Sequence, residues 1–154
     1  MTELLLLQEL WSCPEGYFMN QGYCYMYVPA ALTHIEAEMV CNYYDSKLAK
    51  PESFTHAEFL EALVSVMNPY LNVTGSAKIW LGYRLEDLTD FSVFDDWLEG
   101  HQVTSAPDGT DSGGLCVAMV LDDAGNHLGW HRDTCQAQSY FICQRSKLQC
   151  QFYG

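Results

Sequence analysis

The sequence predicts an α+β fold with two helices early, antiparallel strands late, one long irregular loop region, and disulfide staples across the whole. Three observations predict it. Two Thr-x-x-Glu signatures, Thr33 to Glu36 and Thr55 to Glu58, each open a run of apolar residues at helical spacing. After the second run the period changes, and the apolar residues gather in short stretches of strand length. Seven cysteines stand at positions 13, 24, 41, 116, 135, 143 and 150, six of them in a nested order. No Cys-x-x-Cys pairs flank a His-x-x-x-His, so the cysteines read as a disulfide framework rather than a zinc site. Such a framework places the folded chain in an oxidising compartment. Spacing alone leaves the connectivity open.

The elements follow in order. Cys13-Pro14-Glu15-Gly16-Tyr17-Phe18 runs through the turn residues Asn20-Gln21-Gly22 to Cys24-Tyr25-Met26-Tyr27, two aromatic strands of a hairpin that a Cys13–Cys24 bond could staple. Thr33 caps a first helix ending near Tyr44. Ile35, Met39 and Tyr43 recur at fourth-residue spacing as its apolar stripe, with Cys41 turned towards the core. Thr55 caps a second helix, Phe59-Leu60-Glu61-Ala62-Leu63-Val64, which stops by Asn68-Pro69. Lys78 to Arg84 is a short buried strand. From Leu85 to Gly114 the chain is rich in Asp, Gly, Ser and Pro, with one strand expected around Phe94 to Trp97. So long an irregular stretch is usually functional. Two further strands are expected at Leu115 to Leu121 and Ser139 to Gln144, either side of Gly129-Trp130.

Composition bounds the function. At 154 residues, 49% hydrophobic with four Trp and ten Tyr, the chain holds one domain with a real core. A formal charge of −13 excludes a nucleic-acid partner, whose affinity comes from Lys and Arg, and disfavours anionic membranes. No run is long and apolar enough for a membrane span. Met1 to Trp11 has a leucine run, Leu4–Leu7, but neither a basic start nor a small-residue cleavage site. A disulfide-rich chain needs export, so this N-terminus reads as incomplete or altered. The organisation is therefore a tail over 1–12 (a remnant signal or stalk), a domain over 13–145, and a C-terminal tail over 146–154.

The landmarks are Cys13-Pro14-x-Gly16-Tyr17, Cys24-Tyr25, Ala37-Glu38-x-x-Cys41, Lys47-Leu48-Ala49, Trp80-Leu81-Gly82-Tyr83, Trp97-x-x-Gly100, Cys116-Val117, Gly129-Trp130, Cys135 and Phe141-Ile142-Cys143. In this order, from Cys13 to Gln144, the chain resembles the C-type lectin-like domain in its longer form, with an N-terminal hairpin. The resemblance implies the pairs Cys13–Cys24, Cys41–Cys143 and Cys116–Cys135. Trp80-Leu81-Gly82 reads as core, with Gly where backbones approach closely.

In sugar-binding members of that family a calcium ion in the long loop bridges protein oxygens to sugar hydroxyls. Its ligands come from a Glu/Gln-Pro-Asn/Asp triplet, a Glu just before a framework cysteine, and an Asn-Asp pair after a Trp. Here the triplet aligns with Ala106-Pro107-Asp108, Gly114 stands two before Cys116, and His131-Arg132 follow Trp130. Asp133 is one place late and points elsewhere from a strand. Only Asp108 survives, and calcium needs six to eight oxygens. No metal or other cofactor is therefore expected at the sugar site. Arg132 either replaces the ion by pairing with Asp108 and pinning the loop, or the two stand apart as exposed side chains. Asp108, His131, Arg132 and Asp133 form the candidate ligand face. Glu86, Asp87, Asp90, Asp95, Asp96 and Glu99 could hold structural calcium, a weak signal without fixed spacing.

Catalysis has little support, since His34, His56, His101, His127 and His131 are scattered and no Gly-x-Ser-x-Gly is present. Even His127 and His131 with Asp133 are weak grounds for a metal hydrolase. Asn72-Val73-Thr74 is a glycosylation sequon. Cys150, the odd cysteine, suggests a disulfide-linked homodimer or a free thiol. The resulting expectation is a secreted, non-catalytic recognition module that binds an extracellular protein or glycan through the long-loop face without calcium. The alternatives are a calcium-dependent lectin and an acidic matrix or mineral-associated protein.

Overall fold

The computed structural model describes residues 13–84 and 116–146. The long-loop segment with its expected strand at Phe94 to Trp97, Asp108, Cys150 and the N-terminal tail lie outside the described residues. Element order is β1 (Phe18–Asn20), β2 (Tyr23–Leu32), α1 (His34–Tyr43), β3 (Lys47–Leu48), α2 (Phe54–Tyr70), β4 (Ala77–Arg84), β5 (Cys116–Leu121), β6 (His127–Asp133) and β7 (Ser139–Ser146). These strands form one sheet in the order β1-β2-β7-β4-β5-β6, with β3 also pairing β7.

The hairpin turns where Gln21 and Gly22 both take positive φ, 49° and 86°, the conformation a two-residue turn requires. Thr33 caps α1 in a reciprocal capping box with Glu36. The helix is rotated away from the expected stripe. His34, Ala37 and Cys41 are fully buried, whereas Ile35, Met39 and Tyr43 are exposed. Cys41 is bonded to Cys143, and His34 Nε2 donates to Leu81 O at 2.8 Å, so two fixed contacts override the apolar stripe. His34 also meets Trp80 edge to face at 5.2 Å.

The second helix begins earlier than Thr55 implies. Ser53 is its cap, accepting from His56 N at 3.1 Å. That start buries Ala57, Leu60, Leu63 and Val64 against the sheet. It also runs on through Pro69 to Tyr70, and Leu71 N–H closes the last turn on Met67 O and Asn68 O. Two tyrosines on β2 fasten this helix: Tyr27 Oη donates to Asn68 Oδ1 at 2.8 Å, and Tyr25 Oη lies 2.9 Å from His56 Nε2. Burial pushes the Tyr25 hydroxyl up to about 12 and raises that of Tyr27 as well.

Two differences concern the strands. The stretch about Gly129-Trp130, given no element by pattern, is β6, antiparallel to β5. Its run of Gly129, His131, Arg132 and Asp133 hides the usual alternation. The sheet is mixed rather than antiparallel throughout, because β7 returns to its middle and runs parallel to β4. Both neighbouring faces are covered, so β4 is nearly all apolar. Ile79, Leu81 and Tyr83 join the core under α2, with Tyr25, Leu60, Val64, Met119, Trp130 and Ile142. Trp80 alternates to the other core, with Ala37, Cys41, Leu48, Phe141 and Cys143 under α1. The disulfides are Cys13–Cys24, Cys41–Cys143 and Cys116–Cys135, the pairs that the resemblance implies.

Gly82 sits where β4 meets the strand of Leu48. Its N–H donates to Ala49 O at 2.9 Å, and a Cβ there would lie 2.6 Å from Leu48 O. Gly82→Ala is expected to cost about 2 kcal/mol or more, since a backbone carbonyl in a paired strand cannot step aside. Urea unfolding measures it. A second expectation concerns His56, whose pKa is lowered chiefly by burial, against an opposing pull from Glu52. A depressed histidine contributes its stability above the unfolded pKa of about 6.5. That stability is lost as pH falls from there through the folded value, because the unfolded chain then binds the extra proton. Melting temperature should therefore fall with acidification more steeply in the parent than in His56→Asn.

Candidate functional site

The described part of the candidate ligand face is carried by β6, an edge of the sheet among the described residues. His131 pairs with Ala118, Arg132 with Val117 and Asp133 with Cys116. Strand alternation splits them. His131 and Asp133 share the face of Ala118 and Cys116, under which α1 packs, whereas Arg132 shares the face of Trp130, under α2. The three consecutive residues do not converge.

Asp133 is already engaged. Its Oδ1 accepts from Thr134 N at 2.8 Å, and its Oδ2 is ion-paired with Lys78 Nζ across the sheet. A carboxylate already held by an ammonium group is a poor donor for a hard dication. This half of the site does not fit calcium. Among the described residues no group of three His, Cys, Asp or Glu side chains is placed to hold a metal ion. Asp108 and the carboxylates of residues 85–115 lie outside the described residues.

The other described histidines serve the scaffold. His127 Nδ1 approaches Glu61 Oε1 at 2.6 Å, tying β6 to α2. His34 Nδ1 lies 3.2 Å from Glu38 Oε1, which is also 3.6 Å from Arg84 Nη2. Asn72 of the sequon is exposed just past α2, at a φ of 56°. Asp122 closes the β5–β6 turn by accepting from Ala124 N and Asn126 N, and those hydrogen bonds hold its pKa down.

Sequence reading missed a polar groove of about 830 Å³ beside the first hairpin, between β3, β7 and the start of α2. Lys47, Lys50 and Arg145 line it, together with Tyr25 and His56. Lys47 and Lys50 are near neighbours in sequence, but Arg145 stands 95 positions beyond Lys50, so no local motif announces the set. Their signal was composition: with only seven Lys and Arg in the chain, three at one groove is a concentration.

Comparison with known proteins agrees with the fold. The lectin C-type domain family model matches residues 30–145. Perlucin of Haliotis laevigata is 27% identical over 144 residues, covering 89% of this chain and 85% of its own. A Ca²⁺-dependent type II antifreeze protein, solved in its Ca²⁺-free form, superposes with a TM-score of 0.64 at 21% identity, covering 87% of this chain and 100% of that one. A calcium-independent type II antifreeze protein superposes with a TM-score of 0.60 at 19% identity, covering 88% and 95% respectively. At these identities the structural likenesses speak to fold alone.

Proposed function

The chain belongs to the C-type lectin domain family, and on that footing we propose that it is a non-catalytic extracellular recognition module. It binds a glycan or protein ligand through its long-loop face, without calcium. The observation that carries this reading is the fate of the residues after Trp130. His131 and Arg132 stand where the family places calcium-ligating Asn and Asp, and Asp133 is spent on Lys78 and Thr134. The similarity to both a Ca²⁺-dependent and a calcium-independent antifreeze protein is compatible with it, since the scaffold itself does not dictate the ion.

The same reading covers the compartment and the surface. Three disulfides are consistent with secretion into an oxidising environment. The exposed Asn72 is a glycan acceptor there. Cys150 links two copies in a covalent homodimer.

A glycan array, run beside a melting series, tests the central point. Any glycan bound by the parent protein should be retained in excess chelator, and millimolar calcium should leave the melting temperature unchanged. Elution of the glycan by chelator, or a rise in melting temperature with calcium, would overturn calcium independence.

A further inference from the structure

The cations of this chain are distributed unevenly. Lys78 is ion-paired with Asp133, and Arg84 lies 3.6 Å from Glu38. At the groove beside the first hairpin the pattern reverses. Among the described residues neither Lys47 nor Lys50 has a carboxylate partner; Lys50 lies only over the Tyr83 ring, 5.5 Å from its centre. Arg145 donates to Tyr44 O at 3.2 Å and stands over the Tyr17 ring. Asp45 and Glu52 also line the groove, so cations outnumber carboxylates there three to two, in a chain where carboxylates outnumber cations twenty to seven.

A second observation is independent of charge. Glu52 N–H donates to His56 Nδ1 at 3.4 Å, which makes Nδ1 the unprotonated nitrogen. The ring proton is then on Nε2 and is donated to Tyr25 Oη at 2.9 Å. Tyr25 is 2% exposed and lines the groove, and its own hydroxyl proton has no acceptor among the described residues. A buried hydroxyl held as acceptor on one side must find an acceptor on the other. The burial that lowers the pKa of His56 keeps the imidazole neutral, and so keeps this orientation. Ser53 and the N-terminal end of α2 that it caps lie beside it, adding partial positive charge.

We propose that this groove is a second ligand site, for an anionic glycan. An oxyanion group on the sugar accepts from Tyr25 Oη between Lys47 and Lys50. The side-chain amides of Asn20, Asn42 and Gln144 face the ring hydroxyls, and half-exposed Tyr23 offers an aromatic face. None of the residues assigned to the long-loop face lines it, so the site stands or falls separately from the calcium-independent reading.

Titration calorimetry at physiological salt tests it with three oligosaccharides of equal length: one sulfated (heparin-derived), one carboxylated only (oligogalacturonate) and one neutral (maltose-series). The parent should bind at least one anionic probe and not the neutral one, and the stronger of the two identifies the group. Lys47→Gln/Lys50→Gln should weaken that binding about tenfold. The charge-matched Val66→Glu/Tyr70→Glu, on exposed positions of α2, should leave it nearly unchanged. Tyr25→Phe keeps the ring and should weaken binding severalfold, with near-ultraviolet dichroism confirming an intact core. Failure of both anionic probes to bind the parent would overturn the site. So would equal loss in the two charge-matched pairs, or unchanged affinity in Lys47→Gln/Lys50→Gln.

Discussion

The bond between Cys41 and Cys143 is the constraint on which the other elements depend. It joins the last turn of α1 to β7, the strand that pairs with β2, β3 and β4 at once. A closure across 102 residues removes about 4.7 kcal/mol of chain entropy from the unfolded ensemble in the loop-entropy picture. Its structural consequence is larger than that figure suggests. Once Cys41 is fixed inward, Ala37 and His34 must follow on the same face, and His34 then meets Leu81 O and Trp80. Trp80 in turn donates from Nε1 to Leu32 O, closing the core under α1. The price of that rotation is an exposed Ile35, Met39 and Tyr43.

The sequence was most readable where one residue decides one backbone conformation. Gln21-Gly22 and Thr33 with Glu36 both act locally, and pattern reading located each. It failed where a local signal met a distant partner. The Ile35-Met39-Tyr43 stripe has the right period for a buried face, but a disulfide and a buried histidine choose the opposite side. Thr55 is a sound cap by spacing, yet Ser53 wins because the earlier start brings His56 under Tyr25 and buries Ala57 and Leu60. The disulfide pairing entered through the family resemblance; cysteine spacing alone left it open. The groove was invisible because β3, β7 and α2 bring together residues that no motif connects.

On the proposed reading, side-chain chemistry rather than strand geometry makes β6 a poor calcium arm. Arg132 stands where the family places a carboxylate, and its guanidinium is permanently charged and has no oxygen to give a cation. The Lys78–Asp133 pair adds a second reason, since it satisfies the one remaining carboxylate from within the sheet. What the strand offers a ligand is donors and a cation on one side and an occupied ion pair on the other.

Net charge does not settle what the molecule binds, because charge is partitioned along the chain. Residues 85–115 carry eight of the twenty Asp and Glu and neither Lys nor Arg. The groove cations lie on β3, on the segment just after it and on β7, outside that stretch. In physiological salt, potentials decay over about 8 Å, so an anion in the groove responds most to the charges that line it, Lys47, Lys50 and Arg145 against Asp45 and Glu52. The global charge acts instead at long range and low salt, where it slows the approach of any anion. A site of this kind discriminates by local geometry: a ligand must place an acceptor on Tyr25 Oη while its charge sits between two lysines. A diffuse polyanion lacking that match gains little from three cations set against two carboxylates.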